Sequence, residues 1–305
     1  MKFSIFQESR VGKRRSNQDR MAHSYSRDAL MMVVADGMGG HLHGEVAAQI
    51  AVQYMAEAFH RDATPTLADP LLFLSRSLMN AHHAICDYAH GKGLPETPRT
   101  TCVACVVQKG MAYWAHAGDS RLYAIRNGSV LTQTKDHTRV QMLQDRGLLD
   151  EDGAARHPLR NRVYSCLGGP HSPQIEFSRR LTLLPGDVLA LCSDGAWSPF
   201  RSHELAARLG AGQLDDVVPR LLDHAEEQSG AQCDNLTLLA LRWGGVDMPG
   251  LSEAVSTRTM PAGLYTTHIK GFDRDFAAQA DLDLSEDAIE RAIAEINAAI
   301  EKYAP

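Results

Sequence analysis

Nine short runs rich in β-branched and aromatic residues, several of them joined by turns too tight for a crossover, restrict what this chain can fold into. They cover 2–6, 29–35, 100–108, 111–117, 121–125, 129–134, 175–183, 187–193 and 236–243. Asn127-Gly128 stands between two of them as a two-residue hairpin loop, and Pro185-Gly186 separates another pair. Consecutive strands linked this closely pair antiparallel. Helical patterns are fewer and come in pairs. The stretch 44–60 is apolar over a broad face, and Asp69-Pro70 caps and opens a second helix whose Leu71, Leu74, Leu78, Ile85 and Tyr88 form one stripe. Residues 203–209 and 214–229 make the other pair. Hairpin strands with helices inserted two at a time predict an α+β layered fold rather than alternating β-α-β units.

The bulk properties narrow the functional classes. With 305 residues, 44% of them hydrophobic, the chain can bury a sizeable core as one large domain or two small ones. A formal charge of −6 and a pI near 6.1 argue against nucleic acid or an anionic membrane surface as its main partner. No stretch approaches the roughly 20 apolar residues of a membrane span, and the N-terminus lacks the apolar centre of a signal peptide, so a cytoplasmic location is expected. The six cysteines suit reduced thiols. Cys102 and Cys105 have a metal-motif spacing, but residues three apart on a strand face opposite sides, which makes them core residues.

From about residue 245 the composition becomes linker-like, rich in Gly, Pro and small polar residues, and this texture runs to about 281. A final amphipathic helix is expected over 282–305. Ser285 caps it, and Leu282, Ile289, Ile293, Ile296, Ile300 and Tyr303 form a narrow seam. Two and a half heptads fall short of a coiled coil, so this helix either docks on its own domain or binds a partner.

Acidic residues recur where apolar strands end. "MMVVADG" closes on Asp36-Gly37 and "VLALCSDG" on Asp194-Gly195, while Asp119 follows a third apolar strand. Asp234 directly precedes "LTLLAL", and Asp19 lies in "RRSNQDR" after the first strand. Taken singly, each is a turn residue bonded to backbone two positions on. Taken together, five carboxylates at sheet ends are costly to bury unless a hard divalent cation neutralises them. Oxygen-only donors favour Mg²⁺ or Mn²⁺ over zinc, and glycine after Asp36 lets the backbone carbonyl turn toward an ion. Two such cations about 3.5–4 Å apart would activate a bridging water near neutral pH and clamp a phosphorus atom for in-line attack. Arg14 and Arg15, just before Asp19, offer a guanidinium fork for the phosphate.

These residues resemble the metal-dependent protein phosphatases of the PP2C type (the PPM family) in their compact bacterial form. The matching pieces are "RRSNQD" (14–19), "DGMGGH" (36–41), "TT" (100–101), "AGDSRLY" (117–123), "DH" (136–137), "HPLRNRVYSCLGG" (157–169), "GDVLALCSDG" (186–195) and "DNLTLLAL" (234–241), in the family's order across roughly residues 5–243. The resemblance implies a central β-sandwich of two antiparallel sheets flanked by pairs of helices, within a phosphatase domain over 1–244. At one end of the sandwich it implies a Mn²⁺ or Mg²⁺ pair. By the same resemblance Asp36 bridges the two ions, with Asp19 beside it. The Gly37 carbonyl ligates one ion, Asp194 and Asp234 complete the other, and Asp119 matches the position for a third, weaker ion. Arg14 matches the phosphate-binding arginine, ahead of Arg15, and 137–168 match a flap beside the active site. The implied activity is hydrolysis of phosphoserine and phosphothreonine on proteins, opposing a bacterial Ser/Thr kinase that is itself an expected substrate.

The chain departs from the family pattern in places. The glycine before "TT" is Arg99, which adds a positive charge there. Met38 stands where eukaryotic members carry a histidine that protonates the leaving oxygen, so His41 is the nearest candidate for that acid and His43 the next. Two other readings compete: a phosphorylation-dependent binding module without catalysis, and a domain that anchors the C-terminal helix for recruiting a partner. The intact carboxylates argue against the first.

Overall fold

The protein is described as a computed structural model covering residues 1–38, 43–160, 162–247 and 256–260. In chain order the first half forms β1 (Lys2–Arg10), β2 (Asp19–Tyr25), β3 (Ala29–Asp36), α1 (Gly44–Asp62), α2 (Pro70–Gly91), β4 (Arg99–Thr100), β5 (Cys102–Gln108), β6 (Met111–Ala117), β7 (Arg121–Arg126) and β8 (Ser129–Gln133). The second half forms α3 (Arg139–Asp145), α4 (Glu151–Arg156), β9 (Leu167–Gly168), β10 (Glu176–Phe177), β11 (Leu181–Thr182), β12 (Val188–Cys192), α5 (Asp194–Trp197), α6 (Ser202–Gly210), α7 (Leu214–Ser229), β13 (Leu236–Asp247) and β14 (Ser256–Thr259).

Two large antiparallel sheets result, one in the order β1-β13-β12-β7-β8 and one in the order β10-β6-β5-β3-β2-β14, with β11 also on β6, and β4 and β9 form a separate short pair. The two large sheets stack face to face, and each outer face carries helices: α1 and α2 on the second sheet, α6 and α7 on the first. This covers the central strands on both sides, so they read as continuous apolar runs rather than alternations. In β3, Met31, Val33 and Ala35 pack on α1 and α2, while Leu30, Met32 and Val34 meet Leu189, Leu239 and Leu241 between the sheets. Cys102 belongs to the helix layer and Cys105 to the layer between sheets, on opposite faces of β5. Truncating a fully buried core leucine such as Leu74 to alanine costs about 2–5 kcal/mol at sites of this kind.

Local chemistry sets the boundaries. Asp69 accepts the Leu71 and Leu72 amides (3.0 and 3.1 Å) with Pro70 at the first helical position, so α2 begins where a capped helix must. Asn127 and Gly128 have φ of 50° and 72°, the primed turn that matches hairpin twist. The run 175–183 is not one strand. At Ser178 the hydroxyl takes over from the backbone, accepting the Trp114 amide at 2.8 Å, and the ladder on β6 splits into β10 and β11.

Three described strands, β2, β14 and the two-residue β9, escaped the sequence patterns. β2 (DRMAHSY) is almost wholly buried although half polar, because its polar groups find partners: His23 Nδ1 meets Gln7 Oε1 at 2.8 Å and Ser24 Oγ meets Thr257 Oγ1 at 2.8 Å. β14 lies inside the segment of linker composition, where it pairs with β2 and seats Met260 between the sheets. β13 likewise runs past 243 to Asp247. The helix expected over 282–305, and most of the linker-like 245–281, lie outside the described residues. No described helix is long and apolar enough to cross a membrane.

Candidate metal centre

Antiparallel pairing brings the carboxylates together. Asp19 opens β2 and Asp36 closes β3, and the register sets them directly opposite each other. Asp119 follows β6, Asp194 begins α5 straight after β12, and Asp234 immediately precedes β13, so strands from both sheets deliver acids to one end of the sandwich. The Asp36 carboxyl interacts electrostatically with those of Asp19 and Asp194. Asp19 and Asp119 are buried, while Asp36, Asp194 and Asp234 keep a partial opening to solvent.

The backbone around Asp36 is pinned. Its carbonyl accepts the Thr101 amide (2.9 Å) and the Thr100 hydroxyl (2.8 Å), and the Gly37 amide donates to the Gln18 carbonyl at 3.2 Å. A Cβ on Gly37 would lie 2.5 Å from the Gly44 carbonyl and 2.8 Å from that of Gln18, so only glycine allows the β3 end and the α1 start to meet. Ser193 donates to Asp19 Oδ2 at 2.6 Å and accepts the Thr237 amide at 3.0 Å. Asn235 accepts the Gln18 amide and donates to the Val11 and Ser16 carbonyls, which ties the β1–β2 loop to the β13 start. Ser193 and Asn235 each sit beside a predicted ligand, and that adjacency was the available signal for them.

The electrostatics are those of a site short of positive charge. Burial, then the charges of Asp19, Asp194, Asp119 and Asp234, pushes Asp36 well above the ordinary carboxylate range. Burial and then Asp194 and Asp136 do the same to Asp119. Asp194 rises to about 7, through burial and then Asp234 and Asp19, and Asp19 to about 6, chiefly through burial. Asp19 Oδ1 is buried with no hydrogen-bond partner. A set of oxygen donors that raise one another's pKa, one of them with an unused buried oxygen, fits hard divalent cations.

Of the two arginines, Arg14 reaches the cluster and bonds Asp234 Oδ2 through Nη2 at 2.6 Å, with Asp194 and Asp36 also within its electrostatic reach. Arg15 is exposed. His43 caps α1 from the left-handed region (φ 65°) with its side chain exposed. His41 lies outside the described residues. A second group of possible ligands is His116, His137 and Glu176. In it, His137 Nδ1 accepts the Gly118 amide (3.2 Å) and burial holds the ring neutral, so the proton sits on Nε2 and that atom offers no lone pair to a metal.

The family model described as protein phosphatase 2C matches residues 7–234. Protein phosphatase PhpP of Streptococcus pneumoniae serotype 2 is 30% identical over 231 residues, which is 74% of this chain and 91% of that protein. The crystal structure of the Mycobacterium tuberculosis serine/threonine phosphatase PstP/Ppp has a TM-score of 0.69 at 30% identity, covering 80% of this chain and 99% of that one. The catalytic domain of PstP in complex with two manganese ions has a TM-score of 0.64 at 26% identity, covering 79% of this chain and 97% of that one.

Proposed function

The chain belongs to the protein phosphatase 2C family, and from that we propose that it hydrolyses phosphoserine and phosphothreonine in proteins at a binuclear Mn²⁺ or Mg²⁺ centre. It is a serine/threonine protein phosphatase of that type. The convergence of Asp19, Asp36, Asp119, Asp194 and Asp234 at one end of the sandwich carries the reading, because Arg14 on Asp234 is the ion pair recorded for these five acids among the described residues.

In this reading Asp36, the Gly37 carbonyl, Asp194 and Asp234 would hold the two ions with Asp19 beside them, and Asp119 would hold a third, weaker one. When bound, the ions supply the lowered pKa of a coordinated water and the charge that draws in phosphate oxygens. The protein supplies position. Thr100 and Thr101 fix the Asp36 backbone, and Ser193 fixes Asp19. Arg14 spends one N–H on Asp234, which leaves the rest of its fork for the substrate phosphate. His41 is the candidate donor of a proton to the departing serine or threonine oxygen. The enzyme works in the cytoplasm against a bacterial Ser/Thr kinase, which is itself among its substrates.

The test is hydrolysis of p-nitrophenyl phosphate with Mn²⁺, with Mg²⁺ and with chelator, for wild type and Asp36→Asn. Turnover that requires the metal and collapses in the variant supports the reading. Well-folded protein with no metal-dependent turnover overturns it.

A further inference from the structure

Among the described residues, no ion pair forms on the guanidinium of Arg99, whose backbone adjoins this site. Its backbone is held between the two parts that frame the centre. The Arg99 carbonyl accepts the amide of Met38, next to Gly37, at 3.0 Å, and Arg99 pairs with Gly168 in the β4–β9 ladder where the flap returns. The neighbouring Thr100 turns inward to the Asp36 carbonyl, which sends Arg99 to the other face.

Its side chain lies across Gly169. A Cβ there would come within 3.2 Å of Arg99 Nε and 3.5 Å of Cδ, and the position has φ of 76°, so glycine leaves room for the arginine. Nε is buried with no hydrogen-bond partner. The half-buried Cys166, two residues before the Gly168 that pairs with Arg99, feels the charges of both Arg99 and Asp119. Among the described residues no carboxylate pairs with Arg99, whereas Arg14, Arg121 and Arg126 bond Asp234, Asp136 and Asp187. The segment that leads back to Gly168 carries three further exposed arginines, Arg139, Arg160 and Arg162.

We propose that Arg99 is a specificity-determining residue that binds an anionic group next to the scissile phosphoresidue, either a second phosphate or an acidic side chain of the substrate. The proposal rests on the phosphatase reading above. A planar fork suits both groups, since carboxylate and phosphate each present paired oxygens to it.

The experiment compares kcat/KM for wild type, Arg99→Gly and Arg99→Lys on three phosphothreonine peptides that differ only beside the phosphoresidue: alanine, aspartate or a second phosphothreonine. The expected wild-type preference for the charged peptides over alanine is roughly tenfold or more, the scale of one hydrogen-bonded charge. It falls to within about twofold in Arg99→Gly and survives in part in Arg99→Lys, which keeps the charge and loses the fork. The aspartate and phosphothreonine arms show which group is preferred. No wild-type preference, or one that persists in Arg99→Gly, overturns the proposal. So does equal loss on all three peptides, which would assign Arg99 to the scissile phosphate. p-Nitrophenyl phosphate with Mn²⁺ is run on the same wild-type sample: turnover there without peptide preference sinks the Arg99 assignment alone, and no turnover on any substrate sinks both.

Discussion

Two sets of buried charges sit side by side at one end of the sandwich, and they are completed in opposite ways. In the first, Arg121 forks onto both oxygens of Asp136 at 2.8 Å, donates to the Tyr123 hydroxyl at 2.9 Å and stacks 3.3 Å over the Trp197 ring. Trp197 in turn donates to the Asp119 carbonyl at 3.0 Å. In the second, Asp19, Asp36, Asp119 and Asp194 all have raised pKa values, and the exposed Arg14 forms its ion pair with their neighbour Asp234. The chain supplies its own counter-charge where it needs a rigid support and leaves the balance to a ligand where it needs chemistry. A buried charge with partners is scaffold, and one without partners marks a site.

The widest separation between the two sets is expected from Asp36→Asn. Metal-dependent turnover should fall by on the order of 10³, while metal-free stability at pH 8 holds or rises because a desolvated carboxylate is gone. A marked loss of metal-free stability would show that Asp36 is scaffold after all.

Arg121→Ala should do the reverse and cost about 3–5 kcal/mol in urea unfolding, because Asp136 is left buried and alone. The double variant Arg121→Met, Asp136→Leu should recover most of that loss, and failure to recover it would mean that the network is more than a charge pair.

Ser193→Ala lies between the two sets. Taking the hydroxyl from Asp19 should weaken Mn²⁺ binding about 10-fold or more, read by calorimetry, with the fold intact by circular dichroism. Unchanged affinity would remove Asp19 from the metal's support.

The smallest effect per step is on pH. Asp19 and Asp194 have folded-state values of about 6 and 7, above their unfolded value of 3.8. The folded state therefore holds protons more tightly, and the stability these groups contribute is full below pH 4 and lost as pH rises through 6 to 7. Metal-free protein should lose up to about 1.4 kcal/mol per pH unit for each such group across that window. Saturating Mn²⁺ should reverse the trend, since the cation replaces the proton. A urea midpoint that stays flat from pH 5 to 8 without metal would falsify the charge-starved description.

Asp36, Asp119 and Asp194 were legible in sequence because each stands at the end of an apolar run, where a carboxylate is conspicuous, and Asp19 because it shares the segment RRSNQD with the two arginines. The paired set was not. Arg121 and Asp136 are 15 residues apart in sequence, and nothing local shows that β7 and the start of the flap bring them together. The central strands were legible for the same reason as the acids: both faces are covered, so their apolar runs are uninterrupted. β2 was hidden because its buried face is polar, and its partners come from β1 and from a strand more than 200 residues away. Helices α3 and α4 are too short to show a period and could be seen only through the hydroxyl of Thr138 and the carboxylate of Asp150 that cap them.

β14 changes where the chain can be cut. Without it, β2 would be the outermost strand of its sheet, with a row of open amides and carbonyls that invites pairing with another copy. Met260 would also leave a gap between the sheets. A truncation at 245, where the composition turns linker-like, thus removes a protective margin along with the tail, and loss of activity there could reflect self-association. Ending the chain after Met260 keeps that margin and isolates the contribution of residues 261–305.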